Sequence, residues 1–210
     1  MGCSSSCSSG CSTTLPCPCP AQGNPAIDSL EKLINCYWQN HQQLSVEETW
    51  YGSLGSLELA INEAALALAD ENVDLDHVPD RIPLTELATA KHRLLEVGHD
   101  MASAADFEVL FGLVRDALEG LAGISQELVF MTALRIGMQA GLAPQQIYLH
   151  DDVRDGAAIL VEIEDSLATL ERSQLPVIFQ HPDLPSAVVQ GCLSRCRHQL
   201  QWLKRVGQLT

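Results

Sequence analysis

The sequence predicts an all-α protein: a single bundle of about seven amphipathic helices after a disordered N-terminal tail rich in cysteine and serine. Apolar residues recur at spacings of three and four along most of the chain, and no segment alternates with period two for long enough to build a sheet. Hydrophobic residues make up 46% of the 210 residues, which is enough to form a core. Residues 1–24 have almost nothing to bury, so we expect a flexible tail there and the helical domain over residues 25–210.

Capping residues and apolar runs predict the helices in order. Signals for a helix start precede four of the runs, at Asn24 with Pro25, Ser45 with Glu48, Ser103 with Asp106, and Ser125. The apolar spacing then predicts helices over about 25–42, 46–71, 87–101, 107–121, 128–138, 147–170 and 186–206. We expect the sixth helix to bend at Gly156, and we expect a loop over residues 174–185, which contain three prolines.

The charge balance and the apolar runs exclude several classes of protein. Lys and Arg total 12 against 27 Asp and Glu, and the resulting net charge of -15 predicts that the chain binds no nucleic acid. The apolar runs are far shorter than the ~20 residues needed to cross a bilayer. Residues 1–27 lack the basic start and apolar stretch of a signal peptide, so the expected location is the cytoplasm.

The cysteines are the strongest compositional signal. Five of the eight fall within the first nineteen residues, namely Cys3, Cys7, Cys11, Cys17 and Cys19. In a reducing compartment these cysteines stay thiols, and thiolates are ligands for zinc, copper(I) and iron–sulfur clusters. Because their spacing is that of neither a zinc finger nor a ferredoxin, the prediction of a metal site rests on composition.

Two further cysteines, Cys192 and Cys196, are four residues apart on the last predicted helix and therefore face the same way. They could complete a metal site that the tail begins. Core packing is the favoured interpretation for Cys192, which shares a helix face with Val188 and Leu200.

A weaker pattern is Glu96 with His99, a Glu-x-x-His pair of the kind used in di-iron helical bundles, with His92 one turn earlier. Glu63 and Glu127 could supply further carboxylates. The second Glu-x-x-His that such a site needs is missing from the sequence, so an exposed Glu96 beside a cation is favoured.

Charges are distributed unevenly along the chain. Acidic residues concentrate over 74–80 and 150–155, and because neither stretch follows the calcium loop of an EF-hand, we expect solvated acidic faces. Residues 184–210 contain no acidic side chain but carry four cations, Arg195, Arg197, Lys204 and Arg205. We expect this segment to dock on the acidic body of its own chain, with contact to an acidic partner as the alternative.

These observations favour a non-enzymatic accessory protein. Its cysteine-rich tail would hold or pass a soft metal ion or an iron–sulfur unit while the acidic helical body docks on a client protein, and no catalytic residue is nominated. The alternative is a helical interaction or scaffold module whose tail is a tether or lipid anchor. Gly2 and Cys3 fit the pattern for myristoylation and palmitoylation, so a membrane partner is expected only if they are acylated.

Overall fold

The computed structural model of the protein describes residues 27–40, 42–74 and 82–209, and it confirms the all-α prediction. Ten α-helices lie within these ranges. They are α1 (Leu30–Asn40), α2 (Gln42–Gly52), α3 (Leu57–Asp74), α4 (Leu84–Glu96), α5 (Gly98–Ala102), α6 (Phe107–Leu118), α7 (Gln126–Ala140), α8 (Asp151–Leu160), α9 (Ser186–Arg195) and α10 (Arg197–Arg205). The predicted tail, Asn24 and Pro25 lie outside the described residues.

Side-chain caps explain where several helices begin. Ser125 accepts a hydrogen bond from the backbone N–H of Leu128 and opens α7, as predicted. The predicted capping box of Ser103 with Asp106 is wrong, because Ser103 ends α5 and Asp106 itself opens α6 by accepting from the N–H of Val109. The left-handed Gly141 ends α7. The predicted capping box at Ser45 is wrong, since Ser45 lies inside α2.

Three predicted helices are interrupted. The helix expected over 46–71 divides into α2 and α3, which are separated by residues 53–56. Ser56 accepts a hydrogen bond from the N–H of Leu59 at the start of α3. The third predicted helix divides into α4 and α5 at Val97, and the last divides into α9 and α10 at Cys196. The apolar period continues through these short breaks, so it could not reveal them.

The helix predicted over 147–170 is wrong at both ends. Only Asp151–Leu160 is helical, and the flanking residues form a two-stranded antiparallel pair, β1 (Ile147–Tyr148) with β2 (Thr169–Leu170). Two 3₁₀ turns, Arg172–Gln174 and Val177–Gln180, occupy part of the proline-rich loop. The strands contain only two residues each, too few to show a period of two in the sequence.

The buried apolar side chains form two clusters. The first lies among α2 to α7, and the second lies among α1, the β1–β2 pair and α8 to α10. Leu44 on α2 is partly buried against both clusters. None of the helices in the described ranges combines the length and apolar character that a bilayer crossing needs. Buried polar side chains, among them Arg135, His150 and Gln190, lie at the boundary between the two clusters.

Candidate functional site

The structure describes two of the seven predicted cysteine ligands, and both are buried. Cys192 has no exposed surface, and burial together with the nearby Cys36 raises the pKa of its thiol. A metal ion could bind the sulfur of Cys192 only by displacing the thiol proton in an apolar environment. The predicted core position of Cys192 is therefore confirmed. Cys196 is also buried, and its sulfur is in a disulfide. Cys3, Cys7, Cys11, Cys17 and Cys19 lie outside the described residues.

The predicted Glu-x-x-His pair lies on the surface. His92 and Glu96 are 3.4 Å apart, and both side chains are more than half exposed. Within the described ranges, no group of three or more His, Cys, Asp or Glu side chains is arranged to hold a metal ion. The acidic residues 75–80 lie outside those ranges.

The acidic run at the start of α8 has a partner within the chain. Arg197 on α10 contacts both Asp152 and Asp155, the latter at 3.0 Å, and Lys204 donates to the carbonyl oxygen of Ile159 at 2.8 Å. The predicted docking of the basic C-terminal segment on the acidic body is therefore confirmed for these side chains.

A cavity of about 70 Å³ lies at the boundary between the two apolar clusters. Residues of α1, α2, α7, α8 and α9 line it, together with His150 just before α8. Leu134, Val153 and Ala187 give it apolar walls, whereas His150, Gln190 and Arg195 give it polar ones. The cavity lining is therefore both apolar and polar.

His150 and Gln190 form a buried pair in the wall of this cavity. His150 is 7% exposed and Gln190 is 3% exposed, and their Nε2 atoms are 2.9 Å apart. The Oε1 atom of Gln190 accepts a hydrogen bond of 2.9 Å from the backbone N–H of Tyr148. Burial lowers the pKa of His150, although Asp151 and Asp152 act in the opposite direction, so the structure favours the neutral form of the imidazole.

A second polar pair lies beside the first. Arg135, 5% exposed, donates to the carboxylate of Glu47 at 3.3 Å, and Glu47 also lines the cavity. Because a buried charge is stable only when it is paired, this contact accounts for the burial of Arg135 between the clusters.

The sequence did not predict this cavity. His150 was expected on a solvated acidic face, and neither Gln190 nor Arg135 was predicted to belong to a site. Arg135 within the apolar run of α7 was the available signal, since arginine is almost never buried unless it is paired.

Comparisons with protein-family models, with curated proteins and with solved structures find no significant match to this chain.

Proposed function

We propose that this protein is a non-enzymatic accessory protein that holds or passes a soft metal ion or an iron–sulfur unit through its cysteine-rich N-terminal segment. The observation that carries the proposal is the presence of five cysteines in nineteen residues, Cys3, Cys7, Cys11, Cys17 and Cys19. Thiolates select zinc, copper(I) and iron–sulfur units, and accessible ligands exchange with a recipient more readily than a closed structural site does. The proposed compartment is the cytoplasm, where the disulfide at Cys196 would also be reduced.

We also propose that the acidic helical body docks on a client protein. Two tryptophans support this part, because Trp38 on α1 is 39% exposed and Trp50 on α2 is 55% exposed. Val46, also on α2, is 66% exposed. Exposed tryptophans are costly in water and are enriched at the energetic centres of protein interfaces.

The metal-binding part is tested by purifying the reduced protein without oxygen and measuring zinc, copper and iron. The full chain is expected to retain roughly one equivalent of a soft metal. A full-length variant with all five cysteines from Cys3 to Cys19 changed to Ser is expected to retain almost none, whereas the matched control Cys36→Ser keeps its metal. Equal metal content in the wild type and the five-serine variant would refute this part.

The docking part is tested by affinity capture with the wild type and a Trp38→Ser/Trp50→Ser double variant. A client should be retained by the wild type and lost by the double variant. Val177→Ser is the control, because Val177 is 82% exposed outside α1 and α2. A client that is retained equally by all three proteins would not be bound through the tryptophans.

The second candidate is a helical interaction or scaffold module whose tail serves as a tether or lipid anchor. The exposed tryptophans suit this function equally well, and Gly2 with Cys3 fits the acylation pattern. Intact-mass measurement after expression in a host with the acyltransferase separates the candidates. Loss of Met1 with a myristoyl increment on Gly2 supports the anchor, and an unmodified chain rejects it.

A further inference from the structure

The segment that follows α8, residues 161–164, is extended and alternates like a strand. Val161 has strand dihedral angles, with φ -139° and ψ 159°. Val161 and Ile163 are partly buried against the second apolar cluster, whereas Glu162 and Glu164 are exposed. Apolar and charged side chains therefore alternate with a period of two, as they do in a half-buried strand.

The backbone of this segment has no strand beside it in the described part of the chain. The N–H and C=O groups of Glu162 and Ile163 make no hydrogen bond with any described residue. The segment is nevertheless held in place, because the carbonyl oxygen of Glu164 accepts from Arg154 at 3.2 Å and from the N–H of Leu167 at 3.0 Å. A fixed extended segment with unpaired backbone donors and acceptors is the kind of edge to which a further strand adds.

A groove of about 760 Å³ lies beside this segment. Its walls are the last turn of α8, residues 161–164, and Lys204 on α10. The ammonium group of Lys204 donates to the carbonyl oxygen of Ile159 at 2.8 Å, so this cation is already engaged. The carboxylates of Glu162 and Glu164 also line the groove, and neither makes an ion pair or a hydrogen bond within the described ranges. Four extended residues span roughly 13 Å, which gives room for a partner strand of similar length.

The charge of the groove selects the kind of strand that fits it. Glu162 and Glu164 are two residues apart, so in an extended segment they lie on the same face, about 7 Å apart along the chain. A strand with Lys or Arg at every second position places its cations opposite these carboxylates, whereas an acidic strand is repelled. The net charge of -15 on the whole chain also attracts a basic partner.

We propose that residues 161–164 bind an extended basic segment of a partner protein by strand addition. The partner's backbone pairs with the N–H and C=O groups of Glu162 and Ile163, and its Lys or Arg side chains contact the carboxylates of Glu162 and Glu164. The backbone then provides affinity, and the two carboxylates provide selectivity. Neither of the exposed tryptophans lines this groove, and the proposal is independent of metal binding by the tail.

The test uses the full chain and a fluorescent peptide, Lys-Val-Lys-Val-Lys-Val, at an ionic strength of about 0.15 M, where distant charges are screened. The peptide should bind with a Kd on the order of 100 µM. At about 1 mM it should slow hydrogen exchange roughly tenfold at the amide of Glu162 or Ile163. The same peptide with alternate residues N-methylated keeps its charge but loses its backbone donors, so it should bind at least about fivefold more weakly.

Two double variants with the same charge change separate the groove from general attraction to an acidic protein. Glu162→Gln/Glu164→Gln should weaken peptide binding about fivefold. Glu58→Gln/Glu119→Gln changes two exposed acids outside the groove and should leave the Kd within about twofold. The proposal would be overturned by any of four results: no saturable binding up to about 1 mM peptide, equal binding of the N-methylated peptide, unchanged exchange at both Glu162 and Ile163, or equal weakening by the two double variants.

Discussion

At the scale of single residues, a glycine decides how closely two helices approach. A Cβ atom built on Gly156 of α8 would lie 1.9 Å from the carbonyl oxygen of Leu193 on α9. The sequence singled out Gly156 as a point where a helix bends, whereas the structure places it where α8 comes closest to α9. The glycine allows backbone contact between α8 and α9, and only the partner helix, which is distant in sequence, reveals this.

The substitution Gly156→Ala should lower the free energy of unfolding by about 3 kcal/mol, because the new methyl group meets backbone that cannot move aside. Gly112→Ala is the matched control, since Gly112 is also inside a helix and its Cβ would meet nothing within 4 Å. That variant should gain up to about 1 kcal/mol from helix propensity. Denaturant unfolding measures both, and equal effects would contradict the close contact.

His150 should make stability depend on pH. Burial lowers its pKa in the folded state, so the unfolded chain binds the proton more readily. Its contribution to stability is present above the unfolded pKa of about 6.5 and is lost as the pH falls below that value. His150→Gln keeps an acceptor for Gln190 without the titration, and it should lose less stability than the wild type between pH 7 and pH 5. If the free energy of unfolding falls equally for the two proteins between pH 7 and pH 5, His150 does not contribute to the pH dependence of stability.

At the scale of elements, the sequence predicts a helix well where capping residues and the apolar period agree. It predicts a helix poorly where contacts between distant residues determine where the helix ends. Ser125 marks the start of α7 correctly because capping is local, whereas α6 starts at Asp106 and not at the predicted capping residue Ser103. The end of α8 at Leu160 depends instead on Arg154, which donates to the carbonyl oxygens of Leu149, Glu164 and Leu167. These contacts hold residues 161–168, which connect α8 to β2. A helix period alone cannot foresee them.

Arg154→Met should therefore loosen the β1–β2 pair and leave the helices in place. Hydrogen exchange should accelerate at the amide of Leu149, which donates to Ala168 at 2.9 Å beside the pair. Arg115→Met is the control, because Arg115 is exposed and its partner among the described residues is its neighbour Asp116. If exchange at Leu149 is unchanged in Arg154→Met, other contacts hold the segment.

At the scale of the whole molecule, the charge asymmetry of the sequence predicted that the basic C-terminal segment docks on the acidic body, but it did not identify the start of α8 as the place of contact. Residues 184–210 carry the cations that meet the acidic start of α8, through Arg197 with Asp152 and Asp155. The cavity could not be predicted this way. It forms where α1, α2, α7, α8 and α9 meet beside His150, and its polar residues come from distant parts of the chain, with Glu47 on α2, His150 before α8, and Gln190 and Arg195 on α9.

Arg197→Gln should lower the free energy of unfolding by at most about 1 kcal/mol, because Asp152 and Asp155 are more than half exposed and solvent screens the pair. The difference from the wild type should shrink as salt is raised from low to about 1 M. Unfolding titrations at two salt concentrations measure this. A loss that is independent of salt would indicate that Arg197 stabilises the fold through packing.

The central functional claim is that cysteine thiolates of the N-terminal segment hold a soft metal. X-ray absorption spectroscopy of the reduced, metal-loaded full chain tests it most directly, because it identifies the atoms bound to the metal. For zinc, four sulfur neighbours at about 2.3 Å are expected. A shell dominated by nitrogen or oxygen at about 2.0–2.1 Å would contradict it, since the metal would then be bound by histidine or carboxylate side chains.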